Sequence, residues 1–133
     1  MSGITALIGF TAWTLALVVF VVSWRGIEIL RGKPASSWTR GAAIASPGLV
    51  ARADHAHMNT LENLPVFAAI VFAAVTLGKT AALDAVACWI LYARIAQSLV
   101  HIAGVNHLLV LVRATFYFVQ VGLFAYLLWS LVA

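Results

Sequence analysis

Residues 1–24 and residues 114–133 carry no charged side chain. Wound as a helix rising about 1.5 Å per residue, each run is long enough to cross about 30 Å of hydrocarbon. The composition of the whole chain points the same way. Of its 133 residues, 64% are hydrophobic and only 9% are charged, and the mean hydropathy is +1.04. A composition this apolar excludes an ordinary soluble domain. The length accommodates four spans joined by short loops, which predicts one domain over residues 1–133. The first apolar run has no positively charged start and no small-residue cleavage site before the polar stretch that follows it, so it is expected to be retained as a span.

The breaks between spans are marked by turn chemistry. The first helix is predicted from about Ile4 to Leu30, ending near Gly32 and Pro34. A polar loop follows, and Ser46-Pro47 reads as a cap and first helical position. The second helix is predicted over about 47–77, with Pro65 tolerated inside it. Gly78-Lys79-Thr80 reads as a tight turn, the third helix covers about 82–103, Gly104 to Asn106 forms a second turn, and the fourth helix covers about 107–131. The fold class is therefore an all-α integral membrane four-helix bundle running up-down-up-down. Arg25, Arg31, Lys33, Arg40 and Arg52 gather at the first loop and its flanks, while the opposite side holds Lys79 against Asp84. The positive-inside rule then places both termini on the outer side and the first loop in the cytoplasm. The same bias explains the formal net charge of +4, so nucleic-acid binding is not expected. The lone Cys88 cannot form an intrachain disulfide.

Against this background the start of the second helix is anomalous. Within three turns it carries Arg52, His55, His57, Asn59, Glu62 and Asn63, and such groups are costly in a bilayer unless partnered. Arg52, His55, Asn59 and Glu62 are offset by 0, 3, 7 and 10 positions, an arc of roughly 80° on a helix. The third helix repeats the pattern with Arg94, Gln97 and His101, and the fourth with Arg113, Tyr117 and Gln120. Three narrow polar faces in apolar helices are expected to face one another or a neighbouring subunit. Counting helical rise puts Arg94 within side-chain reach of Glu62, and the two are expected to form a buried ion pair. Arg52, His55, Asn59, His101, Arg113 and Tyr117 are expected to converge near the cytoplasmic membrane face. That cationic, donor-rich cluster suits an anionic ligand from the cytoplasm and an apolar partner from the lipid. His57, off the main stripe, is expected at a helix interface, and Trp13, Trp24, Trp38, Trp89 and Trp129 are expected in belt or packing roles. No metal site is expected.

The run His55-Ala-His-Met-Asn59-Thr-Leu-Glu62-Asn63, with Arg52 before it and Pro65-Val-Phe67 after it, resembles the second-helix signature of the MAPEG family. These are the membrane-associated proteins in eicosanoid and glutathione metabolism, and the likeness is to a bacterial-type member. It extends over nearly the whole chain in length, span layout and loop placement, and includes Arg94 and the arginine that opens the fourth helix, Arg113. The resemblance implies a homotrimer in the lipid bilayer, such as a bacterial inner membrane, that binds glutathione as co-substrate between subunits near the cytoplasmic side. Arg52, His55, Asn59, Glu62, Arg94, Gln97, His101 and Tyr117 are then the ligand-binding candidates. Arg113 is the candidate catalytic residue, stabilising a thiolate that attacks a small lipophilic electrophile or hydroperoxide. The chain departs from the family at three places. His55 stands where the eukaryotic enzymes usually have arginine, His101 matches a tyrosine, and the turn before Arg113 is longer. A histidine cannot make the two-pronged carboxylate contact of arginine, which predicts weaker hold on glutathione. Two other readings use the same residues: a small transporter or non-catalytic assembly, with Glu62 as a coupling acid, and a haem- or quinone-binding subunit with His55 and His101 as ligands.

Overall fold

In a computed structural model of the chain, which describes residues 1–43 and 45–133, the apolar runs form four long helices. They are α1 (Gly3–Leu30), α2 (Gly48–Thr76), α3 (Thr80–Ala103) and α4 (His107–Val132), with a short 3-10 turn at Ala35–Trp38 in the first loop. All four are long and apolar enough to cross a membrane. The protein is thus an all-helical membrane bundle whose boundaries lie within two residues of those read from the sequence. Pro65 sits inside α2 without interrupting it. Gly78 turns the chain from α2 into α3 at φ 65°, a left-handed conformation that a β-carbon disfavours. Asn106 caps α4 by accepting from the Leu109 N–H at 2.9 Å. The cap of α2 differs from expectation. Pro47, not Ser46, is the N-cap residue and no side chain caps the helix, because the Ser46 hydroxyl accepts a hydrogen bond from Trp38 Nε1 at 3.2 Å instead.

α3 is the central helix, packing on α1, α2 and α4, while α2 also meets α1 and α4. Burial follows helical periodicity. On α1 the buried positions are Gly3, Ala6, Phe10, Thr14, Leu17 and Val21, a single stripe with steps of three and four. On α4 they are only Gln120, Phe124 and Leu127, so most of that helix is uncovered. Three helices meet in an aromatic stack at mid-bundle. Phe10 of α1 lies 5.6 Å from Phe67 of α2, which lies 5.8 Å from Phe124 of α4. In lipid such contacts stabilise through packing rather than through removal of apolar surface from water.

Polar bonds between helices stitch both ends. At the end holding the termini, the Gly3 N–H at the start of α1 donates to the Asp84 carboxylate of α3 at 2.7 Å. Lys79, just before α3, donates to the Leu131 carbonyl of α4 at 3.0 Å. At the other end, Arg25 of α1 pairs with Asp54 of α2 at 2.8 Å. His57 meets the Thr14 carbonyl of α1 at 3.2 Å, which is the interfacial placement expected for it.

Candidate functional site

The alternating direction of the helices brings the start of α2, the end of α3 and the start of α4 to the same end of the bundle. That is where the three polar stripes meet. Asn59, Gln97, Arg113 and Tyr117 line one groove of about 270 Å³. Its remaining wall is Val110, Ala114 and Phe118. The groove therefore has a hydrogen-bonding side, from α2, α3 and the polar face of α4, and an apolar side from the neighbouring positions of α4.

Asn59 organises the polar side. Its side-chain nitrogen lies 3.5 Å from His101 Nδ1, and the imidazole accepts this bond in the tautomer protonated on Nε2. Its backbone carbonyl accepts from Asn63 Nδ2 at 2.8 Å and from Arg94 Nη1 at 3.3 Å. His101 is buried, and the ring of His55, exposed on α2, lies 6.1 Å from it. Gln97 is also buried, and its side-chain oxygen has no hydrogen-bond partner. Its carbonyl oxygen is thus an acceptor for a donor that the described residues do not supply. Arg52 stands beside this cluster but is partly committed. Its Nε donates to the Ile102 carbonyl at 2.7 Å, satisfying a carbonyl in the last turn of α3 where a cation is favoured.

Five predicted residues do not line the groove: Arg52 and His101 stand beside it, His55 lines a neighbouring cavity, and Glu62 and Arg94 lie elsewhere. The Glu62–Arg94 ion pair is not formed: the ion pairs among the described residues are Arg25–Asp54 and Arg31–Glu28. Arg94 is fully buried and turned into the bundle, its guanidinium 5.6 Å from the Phe10 ring centroid. Its Nε and Nη2 have no partner. Glu62 is exposed. It follows the buried Thr60 by two residues, about 200° around the helix, so it points away from the core. Helical rise located both groups at similar depth, but depth does not specify the rotation of α2 about its own axis. Neither residue lines the groove.

Other features of this region carry little or no signal in the sequence. The apolar wall of the groove carries no residue-type signal, since Val110, Ala114 and Phe118 resemble any other lipid-facing positions. Gln120 continues the α4 stripe and is fully buried with neither amide atom bonded. It was expected on the stripe with Arg113 and Tyr117, but it alone of the three is buried. Asp54, paired to Arg25, was visible only as an isolated acid among basic residues.

Four membrane-length helices define a multi-pass integral membrane protein, and the groove among three of them is its candidate site. The family model of the MAPEG family matches residues 4–133. The chain belongs to the MAPEG family. No curated protein and no solved structure matches it.

Proposed function

We propose that the protein is a membrane glutathione transferase, with peroxidase-like chemistry open to the same thiol. The groove between α2, α3 and α4 holds glutathione, and Arg113 holds its sulfur as the thiolate. The observation that carries this reading is the position of Arg113. Its side chain lines the groove beside Asn59, Gln97 and Tyr117 and against the apolar Val110, Ala114 and Phe118, where a hydrophilic thiol and a lipophilic electrophile can meet. The donors suit the ligand. A guanidinium, a carboxamide and a phenol hydroxyl match the carboxylates and amides of a short peptide, and the unpaired Gln97 oxygen suits one of its N–H groups.

The chemistry needs little else. A free thiol with a pKa of about 8.5 is mostly protonated at neutral pH, and a nearby guanidinium favours the anion. The thiolate attacks the electrophilic carbon, a sulfur–carbon bond forms, and the leaving group departs with its electron pair. The thiol proton passes to solvent. Assembly into a trimer is part of the proposal. Glu62 lies midway along α2 and is exposed on the single chain, a cost in lipid that a covering subunit removes.

Purified protein given glutathione and a chlorinated nitrobenzene is expected to form the conjugate. Arg113→Ala is expected to lower kcat/KM at neutral pH by about a hundredfold and to move the rising limb of the pH–rate profile upward. Absence of both turnover and a glutathione-dependent thermal shift would refute the proposal.

A further inference from the structure

A second cavity lies at the same end of the bundle, outside the groove. It measures about 300 Å³, opens on one side, and is bounded by residues 37–43, 45 and 46 of the loop between α1 and α2 and by the facing sides of those helices. Arg25, Ser37, Arg40, Ser46, Asp54 and His55 line it. The loop is held in place as its wall. Lys33 donates to the Ala45 carbonyl at 2.7 Å, and its ammonium stands 5.8 Å from the Trp24 ring and 5.4 Å from the Trp38 ring. These two rings pack edge to face at 6.0 Å.

The charge in this cavity is positive. Asp54 is compensated by Arg25 at 2.8 Å, and among the described residues Arg40 forms no ion pair. Donors are in excess as well. Arg25 Nε is buried without a partner among the described residues. The Ser46 oxygen already accepts from Trp38 Nε1, which leaves its proton for an outside acceptor. A compact oxyanion fits this set. The place in the fold narrows the choice, because the cavity follows the end of a membrane span and is flanked by two tryptophans of the kind that sit at headgroup level. Basic pockets at that depth meet the phosphates of anionic lipids.

We propose that this cavity is a site for the phosphodiester group of an anionic phospholipid, with Arg40 as its principal charge and Arg25 and Ser46 as hydrogen-bond donors. The site lies outside the groove, with His55 on the wall that faces His101, and does not depend on thiol chemistry.

The test uses the full chain in uncharged detergent, titrated with short-chain phosphatidylglycerol, short-chain phosphatidylcholine or inorganic phosphate, and read by thermal unfolding and native mass spectrometry. Phosphatidylglycerol is expected to bind and raise the unfolding temperature, with phosphatidylcholine weaker. Arg40→Gln, at an exposed position, is expected to raise the half-saturating phosphatidylglycerol concentration about fivefold. Asp54→Asn, which frees Arg25, is expected to lower it. Inorganic phosphate that competes with the lipid, but at higher concentration, supports a headgroup site. Phosphate that binds while the lipid does not would overturn the lipid assignment. Equal binding of the two lipids, or a response unchanged in Arg40→Gln, would overturn the site.

Discussion

Buried polar side chains in this protein divide by whether the chain itself satisfies them. Thr60 and Ser98 return hydrogen bonds to their own helices, at 2.8 Å to the Ala56 carbonyl and 2.9 Å to the Arg94 carbonyl. Gln120 does not: it is fully buried and both amide atoms lack partners. Burying an amide without hydrogen bonds costs free energy that an apolar side chain of similar size avoids. Gln120→Leu is therefore expected to stabilise the protein by about 1 kcal/mol, read as a higher unfolding temperature in detergent. A lower one would mean that Gln120 is bonded in the native assembly. His55 bears on the proposed ligand. It is exposed beside the buried His101, and an arginine there reaches a carboxylate with two parallel bonds where an imidazole offers one. His55→Arg is expected to lower the KM for glutathione severalfold with little change in kcat. An unchanged KM would remove this position from the ligand contacts.

Each helix is defined as much by its ends as by its apolar length. α1 begins with an exposed N-cap serine whose side chain accepts the Thr5 N–H at 3.2 Å. A second anchor comes from α3, where Asp84 takes the Gly3 N–H. A carboxylate at a helix N-terminus is favoured by both the free N–H groups and the helix dipole. Asp84→Ala is expected to cost about 1 kcal/mol and to speed amide exchange in the first turn of α1, leaving α2 unaffected. Exchange unchanged at residues 3–6 would show that Ser2 suffices alone. Close approach of α1 to α3 depends on Gly9 as well, since a β-carbon there would stand 2.9 Å from Leu91 Cδ2, and the leucine would have to move.

For the molecule as a whole, the even number of spans puts both termini on one face of the membrane. The basic residues of the α1–α2 loop predict that this face is the outer one. An alkaline phosphatase fused after Ala133 is expected to be active outside the cell, and one inserted in the α1–α2 loop inactive. The reverse pattern would invert the orientation and put the groove at the opposite membrane surface. The wide uncovered surface of α4, with only Gln120, Phe124 and Leu127 buried, leaves room for lipid or a second copy. Cross-linking in membranes is expected to capture trimers.

Much of this architecture was legible in the residues because it depends on sums over windows. Apolar length determines a span, turn residues mark its ends, and a spacing of three and four puts Asn59, Gln97, Arg113 and Tyr117 on faces that meet in one groove. The family signature on α2 is local for the same reason. The remainder depends on how each helix is rotated against its neighbours and on the path of the first loop. Glu62 and Arg94 sit at compatible depths, yet one faces outward and the other lies against Phe10. The Lys33–Trp24–Trp38 clamp and the Arg25–Asp54 pair join residues through the fold of that loop. Side-chain packing sets those rotations, and packing is a property of the whole bundle that no single stretch of sequence contains.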